Sequence, residues 1–253
     1  MLRAYGVTDK GRVRPANEDC YGIDHQLSLC VIADGMGGHR AGEVASRMAV
    51  EAVMEYVSRS AVTTTWPFGF EQSISEAGNL LRTAVHVANA RIFDAASTTP
   101  DYFGMGTTTV AVLERNGVLS VAHVGDSRLY LFANNKLQQL TEDDSWAASV
   151  LARDPQMDPV ALQNHPMRNA LTNVVGSRAR TTVHVSEHAL TGGELLALTT
   201  DGVHGVLSDL SLAQVLVQGD SKRIAAGLVD AALSQGSRDN CTALVAEYVR
   251  SGP

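Results

Sequence analysis

A chain of 253 residues with 45% apolar side chains can build one large core or two small ones, and its composition is that of a globular protein. A net charge of −7, with three lysines beside seventeen arginines, argues against general nucleic-acid binding, which needs a basic face to displace counterions. Cys20, Cys30 and Cys241 are odd in number and form no Cys-x-x-Cys pair, so a disulfide framework or zinc site is disfavoured and a reducing compartment expected. No uninterrupted apolar run of about 18 residues occurs. The start, Met1-Leu2-Arg3-Ala4-Tyr5, lacks the charged-then-apolar form of a signal peptide, so a soluble cytoplasmic protein with no membrane partner is the default expectation. A monomer is expected as well.

In chain order, 2–8 and 18–34 read as strands, the latter broken by the polar turn Asp24-His25-Gln26-Leu27. Helical spacing follows over 42–58, where Val44, Ala45, Met48, Ala49, Ala52, Val53 and Val57 share a face. Residues 61–70 break that pattern and read as a loop, with Trp66, Phe68 and Phe70 as its packing. A long helix is predicted from about 71 to 96. Strands are dense over 107–114, 118–124, 128–133 and 136–140, and short Asn- and Gly-rich turns favour antiparallel pairing. Residues 141–180 are polar, carry Pro155, Pro159 and Pro166, and read as short surface helices forming a flap. Strands return at 182–189 and 194–200, a helix is predicted over about 221–235, and a last strand over 241–249. Regular strand–helix alternation is absent, so an α+β architecture with antiparallel sheets is expected, as a single domain spanning 1–253.

The chemistry gathers where strands end. Val31-Ile32-Ala33 runs into Asp34, followed by glycines at 35, 37 and 38, which reads as a buried strand carrying an acid to its tip. Ala197-Leu198-Thr199-Thr200 runs into Asp201-Gly202, and Val121-Ala122-His123-Val124 into Gly125-Asp126. Arg238-Asp239-Asn240 precedes the strand-like Cys241-Thr242-Ala243-Leu244-Val245. Several such acids with few lysines nearby suggest a cluster of hard oxygen ligands for divalent cations. The Gly35–Gly38 segment lacks the Lys-Ser/Thr ending of a phosphate-binding loop, and Gly125-Asp126-Ser127 lacks the second glycine of a nucleophile elbow. Alone, Asp126 could be a turn acid, Arg14 a surface arginine, and Glu18 and Asp19 solvated turn residues. His123 reads as a hydrogen-bonded structural histidine and His39 as a brace for the following helix.

These segments resemble a family. Thr8–Asp19, Ala33–Glu43, Gly104-Met105-Gly106-Thr107-Thr108, His123–Arg128, Thr200-Asp201-Gly202 and Arg238–Thr242 are similar, in order and over nearly the whole chain, to the metal-dependent serine/threonine protein phosphatases of type 2C in their short bacterial form. The resemblance implies a four-layer α-β-β-α sandwich of two central antiparallel sheets flanked by helices. It implies hydrolysis of phosphoserine and phosphothreonine in proteins by direct attack of a metal-bridging hydroxide, without a phospho-enzyme. By the same resemblance Asp34 would bridge two Mn2+ or Mg2+ ions, Asp201 and Asp239 would complete the first, and the Gly35 carbonyl would bind the second. Glu18 and Asp19 would act near the second ion, at least partly through bound water, and Asp126 with Asp201 would hold a third. Arg14 would grip the substrate phosphate, because a guanidinium matches phosphate in a bidentate fork. The implied partners are phosphorylated proteins and an opposing Ser/Thr kinase.

Three positions depart from the family pattern. Met36 stands where many eukaryotic members carry a proton-donating histidine, so leaving-group protonation would fall to water or, as a second choice, to His39. Asp143-Asp144-Ser145 replaces the usual Asp-His-Ser, and Asn173 replaces an arginine. A fold-retaining binding module and a two-metal nuclease are rival readings. The complete set Asp34, Asp201 and Asp239 weighs against the first, and the acidic charge against the second.

Overall fold

The structure is a computed structural model that describes residues 1–38, 41–60, 65–158, 160, 162 and 165–250. The strands are β1 (Leu2–Asp9), β2 (Asp19–Asp24), β3 (Leu29–Met36), β4 (Gly106–Thr107), β5 (Thr109–Arg115), β6 (Val118–Val124), β7 (Arg128–Ala133), β8 (Lys136–Gln139), β9 (His184–Ala189), β10 (Leu195–Thr199) and β11 (Cys241–Tyr248). The helices are α1 (Ala41–Ser60), α2 (Glu76–Thr98), α3 (Trp146–Arg153), α4 (Asp201–His204), α5 (Asp209–Leu216) and α6 (Ser221–Ser234). Antiparallel pairing orders one sheet β1-β11-β10-β7-β8 and the other β2-β3-β5-β6-β9, with β4 added beyond the end of β5 on β3. Asn116-Gly117 and Asn134-Asn135 turn two of the hairpins with positive φ at both central residues, the turn sense that matches strand twist.

Period-two alternation builds three apolar layers from two sheets. On β3, Leu29, Val31 and Ala33 face α1 and α2, while Cys30 and Ile32 face the opposite sheet. On β11, Ala243 and Val245 face α6 and its neighbours, while Leu244, Ala246 and Tyr248 face inward to the seam between the sheets. Leu119, Val121, Leu129, Leu196 and Leu198 fill that seam. The result is helices, sheet, sheet, helices. Each fully buried aliphatic side chain of this kind contributes about 1.5–3 kcal/mol. Among the described residues no helix is long and apolar enough to cross a membrane.

Several predicted bounds shift for local reasons. The long helix starts at Glu76, not near 71, because Ser75 caps it by accepting from the Gly78 N–H. The Asn79 side chain then pins the preceding loop through the Glu71 backbone. Helix α5 was not predicted at all, although Ser208 caps it and Leu212 and Leu216 bury its inner face. Strand β3 runs on to Met36, since β4 pairs with Gly35 and Met36, so Asp34 lies within the strand and not at its tip. The expected brace His39 lies outside the described residues. Trp66 meets Phe70 edge to face, 5.1 Å between ring centres, whereas Phe68 rests against His86.

Within 141–180, Ser145 caps α3, Ser145 bridges to Leu171, and Val175 bridges to Thr107 of β4. The returning limb of this segment therefore lies against the end of the seam to which β3 delivers Asp34.

Candidate active site

The inward rows of the two sheets turn from apolar to polar at one end. After Cys30 and Ile32 the next inward position on β3 is Asp34, and its register partner on β2 is Asp19. In the opposite sheet, Leu196 and Leu198 are followed by Thr200, and Leu244 is preceded by Thr242. Like charges directly opposite on neighbouring strands are destabilising, so this end of the seam works against the fold's own electrostatics.

Asp201 enters as the first residue of α4, and Asp239 sits just ahead of β11. Asp126 lies in the turn where the chain leaves one sheet (β6) for the other (β7). Arg14, Glu18, Asp34, Gly35, Asp126, Asp201 and Asp239 all line one cavity of about 340 Å³, closed on its far side by Asn169, Ala170 and Leu171 of the 141–180 segment. Among the residues predicted for the site, Asp19 alone stands behind this wall. It is 8% exposed, and its Oδ2 accepts from the hydroxyls of Thr200 (2.8 Å) and Thr242 (2.6 Å).

The backbone holding these acids is heavily bonded. Thr108 Oγ1 accepts from the Asp34 N–H at 3.0 Å, while the Asp34 carbonyl accepts from Thr107 Oγ1 and from the Thr108 N–H, each at 2.8 Å. Asn240 joins the chain's two ends. Its amide donates to the carbonyls of Lys10 (2.8 Å) and Ala16 (2.9 Å), and its Oδ1 accepts from the Glu18 N–H at 2.8 Å. A Cβ on Gly35 would stand 2.0 Å from the Gly42 carbonyl oxygen, so glycine there reflects the close approach of α1 to β3. Gly202 is held likewise, 1.9 Å from the Asn240 carbonyl oxygen.

Burial first, and then the charges of Asp19, Asp201, Asp126 and Asp239, push the Asp34 carboxyl well above the usual range. Burial likewise pushes Asp19 and Asp126 up to about 7, against the two threonine hydroxyls that favour the Asp19 carboxylate. Asp201 and Glu18 are raised too, burial again being the first cause. Among the described residues the one arginine lining the cavity is Arg14, whose Nη2 donates to Asp239 Oδ2 at 2.6 Å. A buried, unpaired carboxylate costs several kcal/mol, and a whole domain is stable by only about 5–15 kcal/mol. Protons or cations must therefore offset most of this charge.

The donors suit a divalent cation. All are oxygens, and Asp19 Oδ1 is a buried carboxylate oxygen that no group satisfies. Among the described residues, however, no three acidic, histidine or cysteine side chains already converge on one point. Asp239 turns to Arg14 and to the Asn240 N–H, and Glu18 accepts from the Gly42 N–H. Binding an ion would require these side chains to turn.

The departures from the family pattern form a network of their own. Arg128 forks onto Asp143 at 2.9 and 2.7 Å. Asp144 Oδ2 accepts from the Gly125 N–H (2.9 Å) and from Asn173 (2.8 Å), and its Oδ1 lies 2.9 Å from His184 Nε2. Asp144 thus ties the turn bearing Asp126 to the 141–180 segment and to β9. His123 is buried, with Nε2 at 3.0 Å from the Glu142 carbonyl oxygen, and its ring stacks on His184. Met36 lines the cavity and offers no proton.

Sequence reasoning missed the supporting shell of Thr107, Thr108, Thr200, Thr242, Asn240 and Asp144. The Thr199-Thr200 pair next to Asp201 was a usable signal, since hydroxyls beside a buried carboxylate are its natural donors.

Acids gathered at the open end of a two-sheet seam, with an arginine at its lip, suit hydrolysis of a phosphate ester assisted by divalent cations. Similarity to known proteins narrows that class. Residues 14–233 match the family model described as Protein phosphatase 2C, and the chain belongs to that family. It is 34% identical to the serine/threonine phosphatase stp of Listeria welshimeri over 248 residues, 95% of this chain and 93% of that protein. The crystal structure of the serine/threonine phosphatase Stp1 from Staphylococcus aureus superposes with a TM-score of 0.85 at 32% identity, covering 99% of this chain and 96% of that one. The catalytic domain of the serine/threonine protein phosphatase PstP, in complex with two manganese ions, superposes at 0.83 with 28% identity, covering 98% and 99%. The protein is a bacterial protein-serine/threonine phosphatase with the four-layer sandwich expected from its sequence.

Proposed function

We propose that the chain is one catalytic domain, with a flap at about 141–180, that releases phosphate from phosphoserine and phosphothreonine in proteins by direct attack of water, using Mn2+ or Mg2+. The observation that carries this reading is the convergence of Asp34, Asp126, Asp201 and Asp239 on one cavity with the unsatisfied Asp19 oxygen behind it. When bound, a divalent pair lowers the pKa of the attacking water and offsets charge on the phosphoryl oxygens. Asp34, Asp201, Asp239 and the Gly35 carbonyl would hold that pair, with Glu18 and Asp19 positioning its waters. Asp126 and Asp201 would hold a third ion.

This chain's own groups do the rest. Arg14, at the lip, forks onto the phosphoryl oxygens and orients the ester for in-line displacement. Asn169, Ala170 and Leu171 close the far side and limit bulk water. With Met36 beside the opening, the departing serine or threonine oxygen takes its proton from water. The physiological counterpart would be a Ser/Thr kinase in the same cytoplasm, with the phosphatase acting as a monomer.

The test is phosphate release from a phosphothreonine peptide by metal-free protein titrated with Mn2+ and Mg2+, alongside calorimetric titration of each ion. Release that needs the metal and stops with EDTA supports the reading. Ion binding without release at any concentration points instead to a module that binds phosphopeptides and does not cleave them.

A further inference from the structure

Beside the catalytic cavity lies a second cleft of about 490 Å³, and Met36 and Leu171 line both. Its outer wall carries Arg178, Arg180 and His184. We propose that this cleft is a substrate subsite for an anionic side chain, a carboxylate or a second phosphate, placed a few residues from the phosphoresidue under attack. The inference rests on the phosphatase reading and names the substrate class it implies.

Both arginine side chains are exposed, and neither has a carboxylate within ion-pair distance among the described residues. Their backbone is held rigidly all the same. Asn89, a buried residue of α2, donates to the carbonyls of Arg178 (3.1 Å) and Ala179 (3.3 Å), and its Oδ1 accepts from the Gly176 N–H at 2.8 Å. A surface loop of two unpaired cations, pinned by a buried side chain, is an arrangement prepared for an anion.

The cleft does contain a carboxylate, Asp144, but its oxygens are taken up by His184, Asn173 and the Gly125 N–H. That contact also raises the His184 pKa, which favours its cationic form. Arg14 apart, the charged side chains that line the adjoining catalytic cavity among the described residues are acids, which would repel an anionic flank. Met36 and Leu171 line both cavities, and an extended peptide advances about 3.3–3.6 Å per residue, so a flank about two or three residues from the phosphoresidue can pass from one to the other. Substrates with an acidic or phosphorylated residue at that spacing can fill both cavities at once.

The test compares phosphothreonine peptides with a neutral flank, a glutamate flank and a second phosphothreonine, against the wild-type chain and the Arg178→Ala/Arg180→Ala double variant. Binding is read by anisotropy on the Mn2+-loaded protein with non-hydrolysable phosphonate versions, and turnover by phosphate release. The wild type should bind the anionic-flanked peptides about tenfold more tightly, less so at high salt, with the gain in KM and not in kcat. The double variant should lose that preference and treat the neutral peptide and p-nitrophenyl phosphate as the wild type does. A larger gain for the diphosphorylated peptide would identify phosphate as the flank, and equal gains a generic acid. No preference in the wild type, or a preference that survives the double substitution, would overturn the subsite. Preferential binding with no phosphate release from any substrate would sink the phosphatase reading and leave the subsite standing.

Discussion

The Arg14 guanidinium lies 2.6 Å from Asp239 Oδ2, so the group proposed to grip phosphate is held by an acid proposed to grip metal. Both side chains are partly exposed, at 49% and 33%, and the pair is therefore worth little to stability. Its effect is on competition. Arg14→Ala should raise KM for phosphopeptides about tenfold or more through the lost fork, with a smaller change in kcat. It should also lower the Mn2+ concentration for half-saturation by about two- to fivefold, because a competing cation leaves Asp239. Steady-state kinetics across a metal titration measure both. An unchanged KM would remove Arg14 from substrate binding.

Asp34→Asn and Asp239→Asn should each abolish metal-supported phosphate release and leave the far-ultraviolet circular dichroism intact. Without metal, Asp34→Asn should melt higher than the wild type, because it removes one of the charges crowding Asp19, Asp126 and Asp201. Thermal melts with and without Mn2+ check this. Turnover retained by either variant would dismiss the assignment.

Burial, with the neighbouring charges adding to it, sets a pH dependence. Asp19 and Asp126 titrate near 7 in the folded chain and near 4 when unfolded. Between those values the folded state holds more protons, so the stability of the metal-free protein falls as pH rises through that window. Its Tm should drop by roughly 5 °C or more between pH 5.5 and 8. Mn2+ should restore more of it at pH 8 than at pH 5.5. Asp19→Asn should flatten the slope, and a Tm that climbs with pH would contradict it.

Gly35→Ala puts a methyl group 2.0 Å from the Gly42 carbonyl oxygen, with backbone on both sides and nothing flexible to yield. The start of α1 must move off β3, at a cost of about 3 kcal/mol. Asp34 and Glu18 move with it. Urea unfolding should show the loss, and activity should fall further than the fraction unfolded accounts for.

The strands and the acids were legible for one reason: an apolar run that ends in a carboxylate is costly, and such runs recur at Asp34, Asp126 and Asp201, with Asp239 just ahead of another strand. Residues whose meaning depends on what lies opposite were not legible. Thr200 and Thr242 read as ordinary strand threonines until they are found donating to Asp19 across the seam. Asp144 looked like a lost histidine, whereas it is an anchor for the Gly125 N–H. Helix α5 is short, and its two inward leucines gave too few repeats for periodicity to reveal it. That β3 continues past Asp34 depends on the two-residue strand β4, which no local pattern announces.

Asn240 clasps the carbonyls of Lys10 and Ala16, 230 and 224 residues earlier in the chain. Asp19 likewise waits for hydroxyls 181 and 223 residues further on. The catalytic centre is therefore sewn from both edges of the polypeptide. Loop closure of this length comes late in folding, after the local hairpins and the α1–α2 pair. A chain in which β11 has not yet docked carries most of these acids but lacks Asn240 and Thr242 around them, so the site stays unassembled until its most distant segments meet.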